Sequence, residues 1–531
     1  MKKTNFLKTV FTILLCGFFS MTYAGTIYLS ATGNDSNNGL TAGTAVKSFS
    51  VAQGLATTGD TIMVSGMIDF SIDAGISVPN GLALTKDLIV QGTSNTTDGF
   101  DGKGATQLIQ SAGFNLSLSN LKLTGGSSSG NGGALLITGG TIIITKVIFD
   151  GNTAAVRGGA ISIEPATALT LNLNNTVLIN NSSSTEAAAY YYNDTAGTAN
   201  SITFTNCAII SNNATTTGAG GYVNNTSGSL QLSYINTTIA KNNSDGNSSA
   251  ALFVGNLQAT SNLVFTNCTI TANTCQTAAT SGAGIRIATA VNTNGGKVKF
   301  YNTIMENNYY PTYSAGTTNS SYTTDFVWQG DGFTPGVNLI IEKSLIARPM
   351  AASNVKWLVA TNSFPNSKYN YVTAASGNVE DSYLAKFDAF NATTNSYSLL
   401  NDSFALSYGS TAYLTGLVPS VTTDQLGNTR PSPSCSAGSV EKYPTALALG
   451  LKKNLQNSIM VYRNANNQIT VENSSNDFTG SITVYNILGQ VVAKTPVTGA
   501  ITTINKSLNS GVYIVKLNNS AESYSKKVII N

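Results

Sequence analysis

A repeat of about thirty residues constrains this chain more than any other feature of its sequence. One phrase, a short apolar strand followed by an Asn-rich turn, recurs at 147–152, 176–181, 208–213, 238–243, 269–274 and 303–308. Aligned on its second residue, the phrase places residues 148, 177, 209, 239, 270 and 304 at one position of the repeat. Recurrence at a fixed period of roughly 20–50 residues is typical of solenoids, whose repeats stack on one another.

Two further segments of the repeat keep the same period. A second phrase leads from small residues into a strand, and it occurs at 132–135, 158–161, 187–190, 219–222, 250–252 and 283–285. A third strand precedes the first phrase, as at 202–204 and 263–265. Because these segments alternate with a period of two and are broken by Gly and Asn, they indicate strands. The sequence therefore predicts an all-β fold, a right-handed single-stranded parallel β-helix with three short strands in each coil.

The repeat and the shifts in composition divide the chain into five predicted regions. A signal peptide over 1–24 is followed by the β-helix with an N-terminal cap over 25–345 and by an irregular continuation over 346–443. A linker over 444–456 precedes a module over 457–531, whose alternating strands predict a small C-terminal β-sandwich. Weaker strands at 61–64 and 88–90 indicate that the solenoid starts before the six clear repeats, and 49–55 is expected to form a helix that caps the first coil.

The amino-acid composition excludes several classes of chemistry. The chain has no histidine, which removes Ser-His-Asp and Cys-His catalysis and His-ligated zinc. Its net charge is only +3, and no basic patch favours nucleic acid as a partner. With 42% hydrophobic but only 10% charged residues, the chain is expected to bury a large core under a surface of amides and hydroxyls, as in extracellular β-proteins.

The first 24 residues are typical of a secretory signal peptide. Lys2 and Lys3 supply the positive start, 11–19 supply the apolar core, and small residues stand at the expected positions before the cleavage site. Cleavage is therefore predicted between Ala24 and Gly25. The apolar run is too short for a transmembrane helix, and no transmembrane segment is predicted in the mature chain.

Two rows of the repeat are interpreted as structural. Asn206, Asn236 and Asn267 occupy one position in consecutive coils, where side-chain amides can hydrogen-bond along the stack. Cys207 and Cys268 share another position two coils apart, a separation of about 10 Å that is beyond disulfide reach. We expect both thiols to be buried as small apolar groups.

Three segments resemble β-helix families. Residues 149–152 (FDGN) followed by 158–161 (GGAI) are similar to the repeat of chlamydial polymorphic outer-membrane proteins and of β-helix adhesins. The opening at 28–39 resembles the start of secreted right-handed β-helix proteins of the pectate-lyase-like superfamily. The segments 424–430 and 435–441 are similar to the closing motif of bacterial β-helix surface proteins. That motif usually has an acidic residue where Ser436 stands, a departure that weakens any metal role here.

The C-terminal module closely resembles the C-terminal sorting domain of the type IX secretion system of Bacteroidetes. The resemblance is carried by 484–492 (VYNILGQVV), 511–516 (GVYIVK) and 526–530 (KKVII). It implies export through the type IX secretion machinery and removal of the domain. The cargo would then be released or attached to surface lipopolysaccharide, so a secreted or cell-surface location is expected.

The charged residues of the repeat predict no catalytic site. Pectate-lyase-like enzymes need a Lys or Arg base, often with calcium held by carboxylates, or else paired carboxylates. One position of the first phrase carries several charged residues. In the six repeats it holds Asp150, Ile179, Ser211, Lys241, Ala272 and Glu306. Its charged members never fall on neighbouring coils, and Arg157, Glu164 and Arg286 are isolated. No cofactor or metal is predicted, and nothing in the sequence supports the calcium ion that a lyase would use.

The strand that follows the small residues carries the candidate binding surface. If Leu135, Ile161, Tyr190, Tyr222, Leu252 and Ile285 point into the core, the residue after each points outward. The outward row is then Leu136, Ser162, Tyr191, Val223, Phe253 and Arg286. Most of these side chains are apolar, which an open face does not require. Either the segment 350–443 covers the row or the row binds a ligand, and covering is the commoner arrangement.

Tyr191, Val223, Phe253 and Arg286 are accordingly predicted to form a ligand-binding strip across four coils. Its rings would stack on sugars while Arg286 reaches hydroxyls or carboxylates. The predicted function is a secreted or surface β-helix protein that is adhesive or glycan-binding; the alternative is an extracellular polysaccharide lyase or glycoside hydrolase. The expected partners are the type IX secretion machinery and an extracellular glycan or a host or cell surface.

Overall fold

The protein is represented by a computed structural model that describes residues 24–76, 78–246, 249–276, 284–308, 325–328, 337–347, 349–351, 368–370, 385–401, 403–415, 417, 421–442, 459–464, 468–473, 480–497, 499–518 and 523–530. These fall into two compact units, 1–442 and 443–531, and each is described by itself. The first unit is a parallel β-helix, as predicted. Each complete coil passes in turn through four parallel sheets, which we number 1 to 4 in the order in which the chain visits them.

Each sheet adds one strand per coil. Sheet 1 contains Thr26–Ser30, Thr61–Ser65, Leu88–Gly92, Leu116–Ser119, Gly140–Thr145, Leu169–Asn174, Ala199–Thr205, Ser229–Ile235, Asn262–Thr266, Lys297–Tyr301 and Leu339–Glu342. Sheet 2 contains Met67–Asp69, Gly99–Asp101, Lys122–Thr124, Ile148–Asp150, Val177–Ile179, Ala208–Ile210, Thr238–Ala240, Thr269–Thr271, Ile304–Glu306, Leu345–Ala347 and Lys368–Asn370. Sheet 3 contains Ser127–Ser128, Thr153–Ala154, Ser182–Ser183, Asn213–Ala214, Asn243–Ser244 and Thr274–Cys275. Sheet 4 contains Leu82–Ala83, Ile109–Gln110, Leu135–Ile137, Ile161–Ile163, Tyr190–Asp194, Tyr222–Asn225, Leu252–Asn256, Ile285–Ile287, Phe326–Trp328 and Pro349–Ala351.

The core of the β-helix is built from rows of like side chains. Alternate residues of sheet 1 point inward, and their rows are aliphatic in the early coils and aromatic later. The rings of Phe204, Tyr234, Phe265 and Phe300 stack in four consecutive coils, with centroids 5.0, 4.7 and 5.0 Å apart and interplanar angles of 15° or less. Stacked rings match the coil spacing of about 4.8 Å, which explains why one position of the repeat holds aromatic residues in succession.

The N-terminal end of this core is closed by a short helix. Phe49–Leu55 forms the helix predicted there. The Phe49 ring packs on Phe70 and Phe100, with centroid distances of 5.7 and 4.9 Å, and all three side chains are fully buried. The other short helical segments are the 3₁₀ turns Ala42–Thr44 and Phe70–Ile72 and the helices Thr289–Asn294 and Ala412–Thr415.

Two turns of each coil explain the abundance of Asn. The turn between sheets 1 and 2 holds a left-handed residue in successive coils, including Asn206, Asn236, Asn267 and Asn302, with φ between 49° and 55°. Asn tolerates this conformation better than other residues with a Cβ atom. The amide of Asn236 donates to Asn206 at 3.0 Å, so side chains of this row bond along the stack as predicted.

A second amide ladder, between sheets 2 and 3, was not predicted. It consists of Asn152, Asn181, Asn212, Asn242, Asn273 and Asn308, which are all fully buried. Each Nδ2 donates to the Oδ1 of the next coil at 2.7–3.0 Å, and the ladder ends on the Asp325 carboxylate. Because buried amides are costly unless they are fully bonded, this ladder fixes the stacking register of the coils.

The ladder corrects the alignment of the first phrase. Residues 148, 177, 208, 238, 269 and 304 are the true partners across sheet 2, so the predicted alignment is wrong by one at three coils. The row that holds Asp150 and Glu306 therefore passes through Ile210, Ala240 and Thr271. Ser211, Lys241 and Ala272, which were placed in that row, are the left-handed residues just after it.

The residues 385–442, here called the fold-back segment, return along the β-helix and cover sheet 2. Every residue of Thr238–Ala240 and Thr269–Thr271 is buried, whereas Ile148 and Asp150, earlier in the same sheet, are half-buried. Ala385, Leu399, Ala405 and Ala437 form a small core with Ile304 and Leu345 of sheet 2. Gly409–Ser410 and Ser434–Cys435 pair as a short antiparallel ribbon within the segment.

All four cysteines among the described residues are free and buried. Cys207 and Cys268 lie in the core on either side of Thr237, as expected from their spacing. Burial raises the pKa of the Cys207, Cys268 and Cys275 thiols to about 12 each.

We therefore expect these thiols to be inert in the folded protein, since the thiolate is the reactive form. An aromatic disulfide reagent at neutral pH should label none of the four in the native state and all four after denaturation. Mass spectrometry without reductant should find no bridge. Rapid labelling of native Cys207 or Cys268 would contradict the packing described above.

The second unit contains two small antiparallel sheets. One consists of Ile459–Arg463, Ile469–Asn473 and Ile501–Thr503, and the other of Val491–Pro496, Ser481–Asn486, Gly511–Asn518 and Ser523–Ile530. Val471, Ile482, Val484, Val515 and Leu517 are among the residues of their shared core. The module thus has a core of its own. No helix among the described residues of either unit is long and apolar enough to cross a membrane.

Candidate ligand-binding face

The outward residues of sheet 4 form a continuous row across four coils. Tyr191 pairs with Tyr222, Tyr222 with Phe253, and Phe253 with Arg286. The ring centroids of Tyr191 and Tyr222 are 5.5 Å apart and those of Tyr222 and Phe253 are 5.0 Å apart, with interplanar angles of 48° and 54°. The Arg286 guanidinium lies 5.4 Å from the Phe253 ring centroid, within cation–π range. We call these four residues the aromatic row.

The predicted strip contained Val223 in place of Tyr222, and the structure corrects this. Val223 is fully buried in the core, and the half-exposed side chain of that coil belongs to Tyr222. Gly221, not Tyr222, occupies the inward position. A Cβ atom on Gly221 would lie 2.3 Å from the ring of Tyr190, so the Tyr190 ring fills the space that a side chain at 221 would need. The sequence pattern could not reveal this exchange of volume between neighbouring coils.

Tyr191 closes one end of the aromatic row and is itself buried, at 5% exposure. The Arg157 guanidinium lies 5.2 Å from its ring centroid, and Arg157 Nε donates to Glu186 Oε2 at 2.6 Å. Burial raises the pKa of the Tyr191 hydroxyl. Tyr222 and Phe253 are only half-buried, and they are the two rings of the row that a ligand can reach.

Tyr222 also offers a hydroxyl to a ligand. Among the described residues it has no hydrogen-bond partner. Burial first, and the nearby Glu186 carboxylate second, raise its pKa to about 12, so it stays protonated at neutral pH. A protonated hydroxyl can both donate and accept a hydrogen bond.

A row of amides that the sequence reasoning missed runs beside the aromatic row. Asn224 Nδ2 donates to Asn193 Oδ1 at 2.7 Å, and Asn256 Nδ2 donates to Asn224 Oδ1 at 2.6 Å. All three side chains are half-buried. A one-residue bulge at Gly255 keeps Asn256 in register with Asn224. The signal was an Asn two or three residues after the outward aromatic residue in each coil. We call Asn193, Asn224 and Asn256 the amide row.

The described residues of the fold-back segment cover sheet 2 and not this face, so no described part of the predicted cover 350–443 lies over the aromatic row. The segment's described contacts with the β-helix are to sheet 2, to the adjoining turns and to the ends of two sheet 1 strands. Lys241, for example, lies 4.0 Å from the Phe390 ring centroid, and the Tyr413 ring stacks on Tyr301. Among the described residues, no hydrogen bond, ion pair or ring contact joins the segment to Tyr191, Tyr222 or Phe253. Residues 352–367 and 371–384, which were part of the predicted cover, lie outside the described residues.

The carboxylates near the face are tied to protein partners. Glu164 accepts hydrogen bonds from Ser162 at 2.6 Å and from Asn131 at 2.8 Å, and Glu186 is paired with Arg157. Glu306, an acidic residue of sheet 2, lies under the fold-back segment. Ala385 N–H donates to it at 2.9 Å, and burial raises its pKa well above the usual range. The described part of the chain holds no cluster of three or more His, Cys, Asp or Glu residues able to bind a metal.

The closing motif docks the fold-back segment on the β-helix. Arg430 and Glu441 form a fully buried ion pair at 3.1 Å. Arg430 also donates to Asn236 Oδ1 at 3.0 Å and so reaches into the row between sheets 1 and 2. Ser436, which stands where related motifs are acidic, donates to Glu441 at 2.7 Å. In this protein the motif contributes hydrogen bonds and an ion pair that hold the segment in place.

The predicted cleavage site begins the described structure. Residues 1–23 lie outside the described residues, while Ala24 and Gly25 are exposed. Gly25 N–H donates to the Asp60 carboxylate at 2.6 Å. Hydrogen bonds from Thr57 and Gly25 outweigh the effect of burial and lower the pKa of Asp60. Cleavage between Ala24 and Gly25 stays a prediction, and it would place the new ammonium group next to this carboxylate.

Comparison with known proteins identifies the C-terminal module. Residues 461–531 match the family model described as the secretion system C-terminal sorting domain. Searches of curated proteins and of solved structures found no significant match. The chain therefore carries a type IX secretion sorting domain at its C-terminus, and the protein is secreted, as proteins with this domain are, often remaining attached to the cell surface.

Proposed function

We propose that the exported β-helix is a non-enzymatic glycan-binding protein and that sheet 4 carries its binding face. The observation behind the proposal is the pairing of two rows on one sheet that the described residues leave open. Tyr222 and Phe253 expose apolar ring surface, and Asn193, Asn224 and Asn256 expose donors and acceptors. A sugar has the same combination of groups, because its C–H groups alternate with hydroxyls. The aromatic rings can pack on the C–H groups, and the amides can hydrogen-bond the hydroxyls.

The contrast between sheets 2 and 4 supports a functional reason for the exposure. Over the same coils, and among the described residues, the fold-back segment covers sheet 2 while aromatic side chains on sheet 4 stay half-buried. Exposed apolar patches bordered by polar groups are typical of ligand-binding surfaces. An exported protein meets its ligands outside the cell, where polysaccharides are abundant.

Replacing both Tyr222 and Phe253 with Ala should weaken glycan retention at least about tenfold, or ~1.4 kcal/mol. The loss follows because the two rings supply the reachable apolar surface of the face. Retention and affinity would be measured on a panel of soluble and insoluble polysaccharides. The matched control is Ile143→Ala, which removes a 40% exposed apolar side chain from sheet 1 and should leave binding unchanged.

The same panel separates binding from catalysis. Reducing ends and unsaturated-sugar absorbance would be followed during incubation, because hydrolases and lyases produce them respectively. The proposal expects retention without product formation. Product formation that depends on Glu164 or Glu186 would favour the alternative, a polysaccharide hydrolase or lyase. If the double variant retained glycan as well as the natural protein but lost thermal stability, the two rings would have a role in packing only.

A further inference from the structure

We infer that the ligand of this face is a neutral, extended glycan that lies parallel to the β-helix axis and places one sugar on each coil. The inference rests on the proposed function and specifies its ligand. It is carried by the spacing of the two rows and by the balance of charges around them.

The spacing selects the shape of the ligand. Successive rings of the aromatic row are 5.5 and 5.0 Å apart, and the amide row repeats once per coil beside them. Parallel strands are spaced by roughly 4.8 Å, which is close to the rise of one pyranose in an extended β-1,4-linked chain. Such a chain stays in register with a straight column over several coils. An α-1,4-linked chain coils and loses register after one or two sugars.

The amide row supplies the repeated recognition element. Asn193 and Asn224 each accept one hydrogen bond from the next amide, and Asn224 and Asn256 each donate one. A primary amide has two N–H groups and two acceptor positions, so each member keeps hydrogen-bonding capacity for a ligand. Each sugar of a β-1,4-linked chain is turned about half a turn from the last, so the amides of successive coils meet its two hydroxyl-bearing edges alternately, and both edges offer groups that an amide can bond.

The charges around the face favour a neutral polymer. Arg157 is neutralised by Glu186 in the ion pair at one end of the aromatic row, and Glu164 lies nearby. Arg286 stands at the other end. The two cations and two anions cancel. A uronic acid polymer would bring one carboxylate per sugar past Glu164, and this repulsion would offset the attraction to Arg286.

The test is a length series of oligosaccharides measured by calorimetry on the mature protein. The probes are β-1,4-linked gluco-, manno- and N-acetylglucosamine oligomers from disaccharide to hexasaccharide, with α-1,4-linked gluco-oligomers and oligogalacturonates as comparisons. Affinity for at least one β-1,4 series should rise with each sugar up to the tetramer, which spans the four coils from Asn193 to Arg286. It should change less than twofold beyond that length.

Asn224→Ala, in the middle of the amide row, should reduce the gain per added sugar and lower tetramer affinity at least fivefold. Asn243→Ala is the matched control, because Asn243 belongs to an amide pair on sheet 3, away from the face. If Asn224→Ala fails to fold, Asn256→Ala at the end of the row tests the same point with the loss of one donor. Equal affinity in the Asn224 variant and the natural protein would overturn the inference.

The outcomes distinguish this inference from the proposed function. If α-linked or anionic oligomers bind best and still need Tyr222 and Phe253, the face binds glycan but the inference about its ligand is wrong. If affinity is independent of length, the one-sugar-per-coil arrangement is wrong. If no glycan of any class is retained, both the inference and the proposed function fall.

Discussion

Removal of residues 457–531 should abolish surface display and secretion of the protein while leaving its β-helix folded. The matched sorting domain, 461–531, is the part of the chain that the type IX secretion machinery recognises in proteins of this kind. The truncated chain would still carry the predicted signal peptide, so it should cross the inner membrane and accumulate in the periplasm. Cell fractionation and protease accessibility on intact cells would measure its location.

The structure explains why this truncation should not harm the β-helix. The module has its own core, formed by residues such as Val484 and Val515, and the β-helix unit ends at Lys442. The purified truncated protein should therefore show the same thermal transition as the full-length β-helix. A fusion of 457–531 to an unrelated periplasmic protein is the positive control, and it should appear outside the cell. Surface display of the truncated chain would show that another segment directs export.

The architecture was accessible from the sequence because local rules repeat in every coil. Left-handed Asn residues mark the turn between sheets 1 and 2, and apolar alternation marks the strands, so their recurrence at about thirty residues predicts stacking. The alignment of the repeats also predicted that Cys207 and Cys268 are buried at one position, two coils apart. The short cap helix at 49–55 could also be placed, since it lies between the opening segment and the first weak strand at 61–64.

The face itself was predicted on the right sheet but with one wrong residue. A period of two assigns inside and outside correctly only when the register is known, and a slip of one residue exchanges the faces. That slip occurred at Tyr222 because Tyr190 in the preceding coil fills the volume above Gly221. Packing between coils decided the register, and a single-coil pattern does not contain that information.

The position of the fold-back segment was beyond sequence reasoning for a different reason. Thr238 bonds Gln425 and Ser439, partners 187 and 201 residues away along the chain. A repeating sequence pattern does not indicate contacts between residues so far apart, and the fold-back segment has no repeating pattern of its own. Sequence alone could indicate that some sheet is covered, but the choice of sheet 2 depends on the placement of Arg430, Ser439 and the small residues Ala405 and Ala437.

Replacing Arg430 with Ala should release the fold-back segment, at a cost of about 3–5 kcal/mol. Arg430 is fully buried and donates five hydrogen bonds: to Glu441, to Asn236 and to the carbonyl oxygens of Ser436, Gly438 and Ser439. Its removal leaves the Glu441 carboxylate buried without its cation. Because burial already raises the pKa of Glu441, the carboxyl should take up a proton or move to solvent, and either change breaks the motif.

The loss should be local, since none of these groups belongs to the core of the coils. Hydrogen exchange followed by mass spectrometry should show faster exchange in 421–442 and in the covered strands Thr238–Ala240 and Thr269–Thr271, with the inner strands of sheet 1 unchanged. Arg430→Lys keeps the charge but makes fewer bonds, so it should fall between Arg430→Ala and the natural protein.

Lys103→Ala provides the matched control for the loss of a cation. Lys103 pairs with Asp101 at 2.7 Å, but its side chain is 53% exposed, and ion pairs that are exposed to solvent contribute little to stability. The control should leave exchange in 421–442 untouched. Equal exchange of that segment in the Arg430→Ala variant and the natural protein would mean that the apolar contacts around Ile304 and Leu345 hold it alone, and that the buried ion pair contributes nothing to docking.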